Sequence, residues 1–185
     1  QVDRYRRVSF QPPPLPGEAV GEKGDPRPLG RPGTHWEYND VRINQLSLAL
    51  LHRFAEPLPE VFARELATPA GCSADWRWRG YENSWVTING RAMQSVPGGT
   101  HWGGGMEISA RDQWRLARLL MGARSDLLAP DWLAAMRTPC ALAPFYGYLI
   151  WLNTDRRIVP SASETSFFAV GAGSSVIWHD PARDL

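Results

Sequence analysis

Three β-rich runs close this chain, over residues 146–152, 167–170 and 175–179, and its longest helical patterns all precede them. That order constrains the fold more than any other feature. Parallel βαβ architectures need strands and helices to alternate, whereas helices gathered ahead of strands separated by Gly, Pro, Asn and Asp predict an α+β domain with helices packed on an antiparallel sheet. Three strands make a thin sheet with an edge to cover, and Leu185 follows directly on a turn-like Asp180-Pro181-Ala182-Arg183-Asp184. The pattern therefore reads as a domain incomplete at both ends.

Ahead of the strands, the apolar residues Ile43, Leu46, Leu50, Leu51 and Phe54 recur at helical spacing, with Val41, Leu48 and Ala49 widening the face. A helix over 41–54 with Asp40 as its cap follows from that periodicity. Pro57 and Pro59 break the chain and restart it; Val61, Phe62 and Leu66 predict a second short helix that ends near Thr68-Pro69-Ala70-Gly71. Residues 76–88 alternate aromatic or branched side chains with polar ones, and Asn89-Gly90 marks a two-residue turn, so a hairpin with its return strand over 91–96 is expected. Ser109-Ala110-Arg111-Asp112 resembles a capping box, and Trp114, Ala117, Leu120 and Met121 share the face of a helix over 110–122. Pro130 opens another, through Met136. Residues 11–32 are dense in Pro and Gly, which denies both helix and ladder, so residues 1–32 read as an irregular arm and 33–185 as the folded part.

Twenty basic residues against nineteen acidic give a net charge of +1, which offers no electrostatic case for a nucleic acid or an anionic membrane as partner. No run approaches the ~20 apolar residues of a membrane span. Cys72 and Cys140 are too few for a disulfide scaffold and read as two buried thiols. The four scattered histidines fit no metal-ligand spacing, so no metal site is expected.

The residues with chemical potential lie in three places. Tyr38 and Asp40 stand at the mouth of the first helix, where unpaired N–H groups and a positive partial charge hold and tune polar side chains. A phenol there can act as a base if neighbouring cations or hydrogen bonds favour its phenolate; the structural alternative is a packed ring beneath a helix cap. Gly98-Gly99-Thr100-His101-Trp102-Gly103-Gly104-Gly105 permits close backbone approach and can wall a pocket with Trp102 and Gly103, or can simply turn. Ala169-Val170-Gly171-Ala172 joins two short strands; on an edge strand its small residues could present N–H groups to a carbonyl oxygen, as an oxyanion hole does. Trp76, Trp78 and Trp85 could stack sugars, although rings at that spacing more commonly cover a sheet.

In order, Pro-Gly-x-x-Trp-x-Tyr-Asn-Asp before a long apolar helix, Gly-Gly-Gly-Met-x-Ile-Ser-Ala-x-Asp, Tyr-Gly-Tyr-x-x-Trp-Leu and Val-Gly-Ala-Gly resemble the serine hydrolases that comprise class C β-lactamases, D-Ala-D-Ala carboxypeptidases and related esterases, from about Arg31 to Leu185. The resemblance implies a β-lactamase/transpeptidase-like fold, no cofactor, and cleavage of an ester or amide through an acyl-serine. It assigns Tyr38 as base and Asp40 to the place of the family's Asn. Ala169 and Gly171 take the substrate-binding strand, the Ala172 N–H the oxyanion contact, and Trp102 with Gly103 the pocket wall. The chain departs from the family at two places: Asp40 lacks an amide donor, and Ala169 supplies no cation, which favours neutral esters or amides over carboxylate-bearing substrates. Its one lysine, Lys23, has no serine three residues before it, so the Ser-x-x-Lys nucleophile is expected outside this chain, in a preceding segment of the same domain or in an enzyme that this chain completes as a partner. The chain alone should then be inactive. The competing expectation is a non-catalytic module that binds carbohydrate or peptide through exposed tryptophans.

Overall fold

The computed structural model describes residues 30–36, 38, 40–80, 82–94, 105–171 and 176–185, with Asp40 and Val41 described by their backbone alone. The chain forms two compact units, one from Gln1–Tyr38 with Pro130–Leu185 and the other from Asn39–Ala129. Helices and small antiparallel sheets occur in it together, so the α+β class stands.

In the Asn39–Ala129 unit, α1 runs Asp40–Phe54 and includes Asp40 as its first residue, so the helix starts one residue earlier than the cap assignment placed it. Leu51, on its inner face, is fully buried with Leu58, Ile88 and Met93. The helix stops at Ala55, which takes φ 54°. Proline at the first turn then starts α2, Leu58–Phe62, which widens into a π-helical turn over Ala63–Ala67 and ends at Gly71 with φ +77°.

The hairpin forms about Asn89-Gly90, both at positive φ, as the mirror-image two-residue turn requires. It joins β2, Trp85–Ile88, to β3, Arg91–Gln94, pairing Val86 with Met93 and Ile88 with Arg91. Residues 76–88 are not one arm, however. Arg77–Trp78 is a separate strand, β1, whose partner is β4, Met106–Glu107. The alternation continues through both pieces, but period two says which face a residue takes and nothing about which strand it pairs with.

In α3, Ala110–Leu120, the Ser109 hydroxyl caps the start by accepting from the Asp112 N–H at 3.1 Å. The buried Asp112 carboxylate accepts from the Ser73 N–H and hydroxyl, the Ser109 hydroxyl and the Arg115 guanidinium. Those bonds, the Ser73 hydroxyl foremost, hold it well below the usual carboxylate range. A capping box thus becomes a tie between α3 and the segment after α2.

In the other unit, α4, Pro130–Met136, precedes a three-stranded antiparallel sheet of β5, Trp151–Leu152, β6, Phe167–Val170, and β7, Val176–His179, in the order β5-β6-β7. β5 is shorter than the 146–152 run because Gly147 N–H bonds the Ile150 carbonyl and Leu149 takes φ 59°, folding the chain back before the strand begins. Ala143, Phe145, Trp151, Ala162 and Phe168 form the core. The connection from β5 to β6 is organised by Asn153. Fully buried, its amide donates to the Val159 and Ser163 carbonyls and accepts from the Ile158 and Val159 N–H groups. No helix among the described residues is long and apolar enough to cross a membrane.

Candidate active site

Tyr38 is delivered by a turn whose chemistry is local. Pro32 and Gly33 occupy the centre of Arg31–Thr34, Gly33 takes φ +80°, and both the Thr34 N–H and its hydroxyl bond the Arg31 carbonyl. These are the requirements of a type II turn. Trp36 emerges from it and sets its ring edge-on to Phe145 at 5.2 Å and to Tyr146 at 5.6 Å between centroids. Two residues on, Tyr38 meets the same aromatic group, lying tilted on Trp151 at 5.2 Å and edge-on to Tyr146 at 6.1 Å. Each aromatic contact of this sort contributes about 0.5–1.5 kcal/mol beyond the area it buries. Trp36 is the anchor, and Tyr38 stays 45% exposed.

Trp151 ties this phenol to the sheet. It pairs across the ladder with Phe168, the residue immediately before Ala169. The expectation that Ala169-Val170 sits on an edge strand needs correction, because β6 is the central strand. Yet β5 pairs only with Phe167 and Phe168, while Ala169 and Val170 pair with Ile177 and Val176 of β7. Among the described residues the far end of β6 has a ladder partner on one side only, the same end at which Trp151 carries Tyr38. Gly171, exposed, continues from there.

One assigned residue lies in the other unit: Asp40 opens α1, its side chain outside the description. Ala172, Trp102 and Gly103 lie outside the described residues. Tyr38 and Ala169–Gly171 thus lie in one unit, linked through Trp151 and its ladder partner Phe168. The structure adds Tyr146, to which sequence reasoning gave no role. The signal was present in Tyr146-Gly147-Tyr148-x-x-Trp151, but only the return of the chain at Gly147 puts Tyr146 opposite Trp151, with a ring distance of 4.8 Å.

The other candidates resolve into structure. Trp76 and Trp78 both pack edge-on to Phe62, at 5.0 and 5.8 Å, and only Trp85 of the three stands exposed, so they form no shared stacking surface. Cys72 and Cys140 are free, only partly buried, and lie in different units; the Cys72 thiol points to the Asp112 carbonyl at 3.8 Å and burial pushes it up. No group of three or more His, Cys, Asp or Glu among the described residues could hold a metal ion. A recess of about 140 Å³ is lined by Ala70, Arg115, Arg118, Leu119, Ala123 and Arg124. Its guanidinium groups are engaged: Arg115 with Asp112, Arg124 with Asp126 and the Pro69 carbonyl, Arg118 over the Trp114 ring. They read as partners of a helix end. No family model, curated protein or solved structure matches this chain.

Proposed function

We propose that this chain is the C-terminal part of a β-lactamase-like serine hydrolase domain, acting on a neutral ester or amide through an acyl-serine. The reading rests on one observation: a half-exposed phenol, Tyr38, lies on Trp151, the cross-strand partner of Phe168, directly before Ala169-Val170-Gly171. Tyr38 as phenolate takes the proton from the serine hydroxyl as its oxygen attacks the substrate carbonyl. The Ala172 N–H receives the oxyanion at the end of the Ala169–Gly171 segment, and the proton passes from Tyr38 to the leaving oxygen or nitrogen. Water then cleaves the ester in the reverse sense. The cation that makes a phenolate accessible is the lysine of Ser-x-x-Lys, which this sequence does not contain.

The test is made on the native protein. Its intact mass should exceed this chain by on the order of 20 kDa, room for the missing strands and nucleophile. A serine-directed phosphonate should label it, and Tyr38→Phe should lower kcat for a p-nitrophenyl ester by roughly 10²–10⁴. The chain of this exact length should turn over nothing. Hydrolysis by this chain alone above the rate of its Tyr38→Phe variant, or a longer native protein inert to the phosphonate, overturns the reading.

The second reading, a carbohydrate- or peptide-binding module, draws on Trp132 and Tyr148, exposed and 5.7 Å apart. Tryptophan quenching by oligosaccharides without phosphonate labelling would support it. Their rings are inclined at 46°, however, which offers a sugar no common plane.

A further inference from the structure

The aromatic group that holds Tyr38 contains a second phenol in a different setting. Tyr146 is partly buried among Trp36, Phe145 and Trp151, and its backbone is fixed on both sides. Its N–H bonds the Ala143 carbonyl, and its own carbonyl accepts from Cys140. Its ring meets Tyr38 nearly at right angles. Around the pair the described walls are largely aromatic; the Arg157 guanidinium lies 5.2 Å over Phe145 of the same cluster, and the Cys140 thiol packs nearby. Two phenols so close cannot both ionise easily, since the first charge opposes the second, and the member nearer water carries charge at lower cost.

We propose that Tyr146 is a positioning residue for Tyr38: its ring edge holds Tyr38 against Trp151, and it keeps its proton while Tyr38 gives up its own. Burial, and after it the neighbouring Tyr38, push the Tyr146 phenol well above the usual tyrosine range. Tyr146 therefore stays neutral whenever Tyr38 works as an acceptor, and the base has one defined phenolate instead of a charge shared between two rings. The catalytic meaning rests on the reading of Tyr38 as the base; the order of ionisation does not.

Fluorine NMR of the chain with 3,5-difluorotyrosine in place of tyrosine tests this, because that phenol ionises near neutrality, where the fold is not under alkaline stress. Tyr38→Phe and Tyr146→Phe assign the two signals, and Tyr148→Phe serves as a control on an exposed ring. The signal of position 38 should titrate first. In Tyr38→Phe the midpoint of position 146 should fall by about one pH unit, as expected on losing a neighbouring charge, and in Tyr148→Phe it should not move. Position 146 titrating first, or a midpoint indifferent to Tyr38→Phe, overturns the proposal. If the order holds but the native protein resists the phosphonate, the hydrolase reading fails and the pairing stands. If labelling succeeds and the order does not hold, only the role of Tyr146 is lost.

Discussion

Replacing Asn153 by alanine should be among the most damaging single changes in the unit that carries Tyr38. The Asn153 amide is fully buried and uses its whole capacity, two donated and two accepted bonds of 2.9–3.1 Å, all to backbone groups between Ile158 and Ser163. Alanine leaves these four backbone groups without their side-chain partner at once. A buried polar group left unpaired costs about 1–3 kcal/mol, and partial rehydration of this loop should bring the total to about 4 kcal/mol. In a chain of this size that is about 10 °C in Tm. Urea unfolding followed by near-UV circular dichroism, sensitive to the Trp151 and Phe145 environment, reads it directly. Aspartate is the sharper variant. It keeps the shape but, when ionised, turns a charged oxygen toward the Val159 and Ser163 carbonyls, so its folded pKa lies above its unfolded one. Asn153→Asp should therefore regain stability relative to the parent as the pH falls toward 4 and lose it again toward 7. A cost under about 1 kcal/mol for Asn153→Ala, or an Asn153→Asp variant matching the parent at pH 7, would refute the assigned bonds.

His179 supplies a second pH signature. It is 4% exposed, stacks on Phe167 at 4.5 Å, and its Nε2 has no hydrogen-bond partner among the described residues; burial and then Arg137 lower its pKa. Above about pH 6.5 both folded and unfolded states are neutral and nothing changes, but below it the unfolded chain binds the proton first, so stability should fall with pH; His179→Phe should flatten that slope between about pH 6.5 and 5. Gly147→Ala should cost more than its single methyl suggests, because the new Cβ would overlap the Met136 carbonyl oxygen that accepts from Tyr148. A loss of at least about 2 kcal/mol by thermal unfolding is expected, in the range for strained backbone sites.

Periodicity made the helices legible: Ile43, Leu46, Leu50 and Leu51 located α1 to within a residue, and Ser109 with Asp112 located the start of α3. Asn89-Gly90 located its turn for the same reason, a backbone demand that few residue pairs meet. Pairing was not legible. Nothing in Arg77-Trp78 specifies Met106-Glu107 across nearly thirty residues, and the return at Gly147 depends on the Met136 carbonyl, a tertiary contact. At the candidate site Tyr38 stood out through its place beside a helix start. Its actual support, Tyr146 and Trp151, comes from a distant segment whose convergence on it no local pattern announces.

The pairing of Arg77-Trp78 with Met106-Glu107 closes a neck, reinforced by the Arg79 ion pair to Glu107 and by the Ser73 bonds to Asp112. Between those feet the hairpin of β2 and β3 packs Ile88 and Met93 against Leu51, and lengthening a closed segment tied in this way adds only about 0.6 kcal/mol of entropy for each doubling. An insertion into that segment that spares Ile88 and Met93 should thus leave α3 and its Asp112 tie in place.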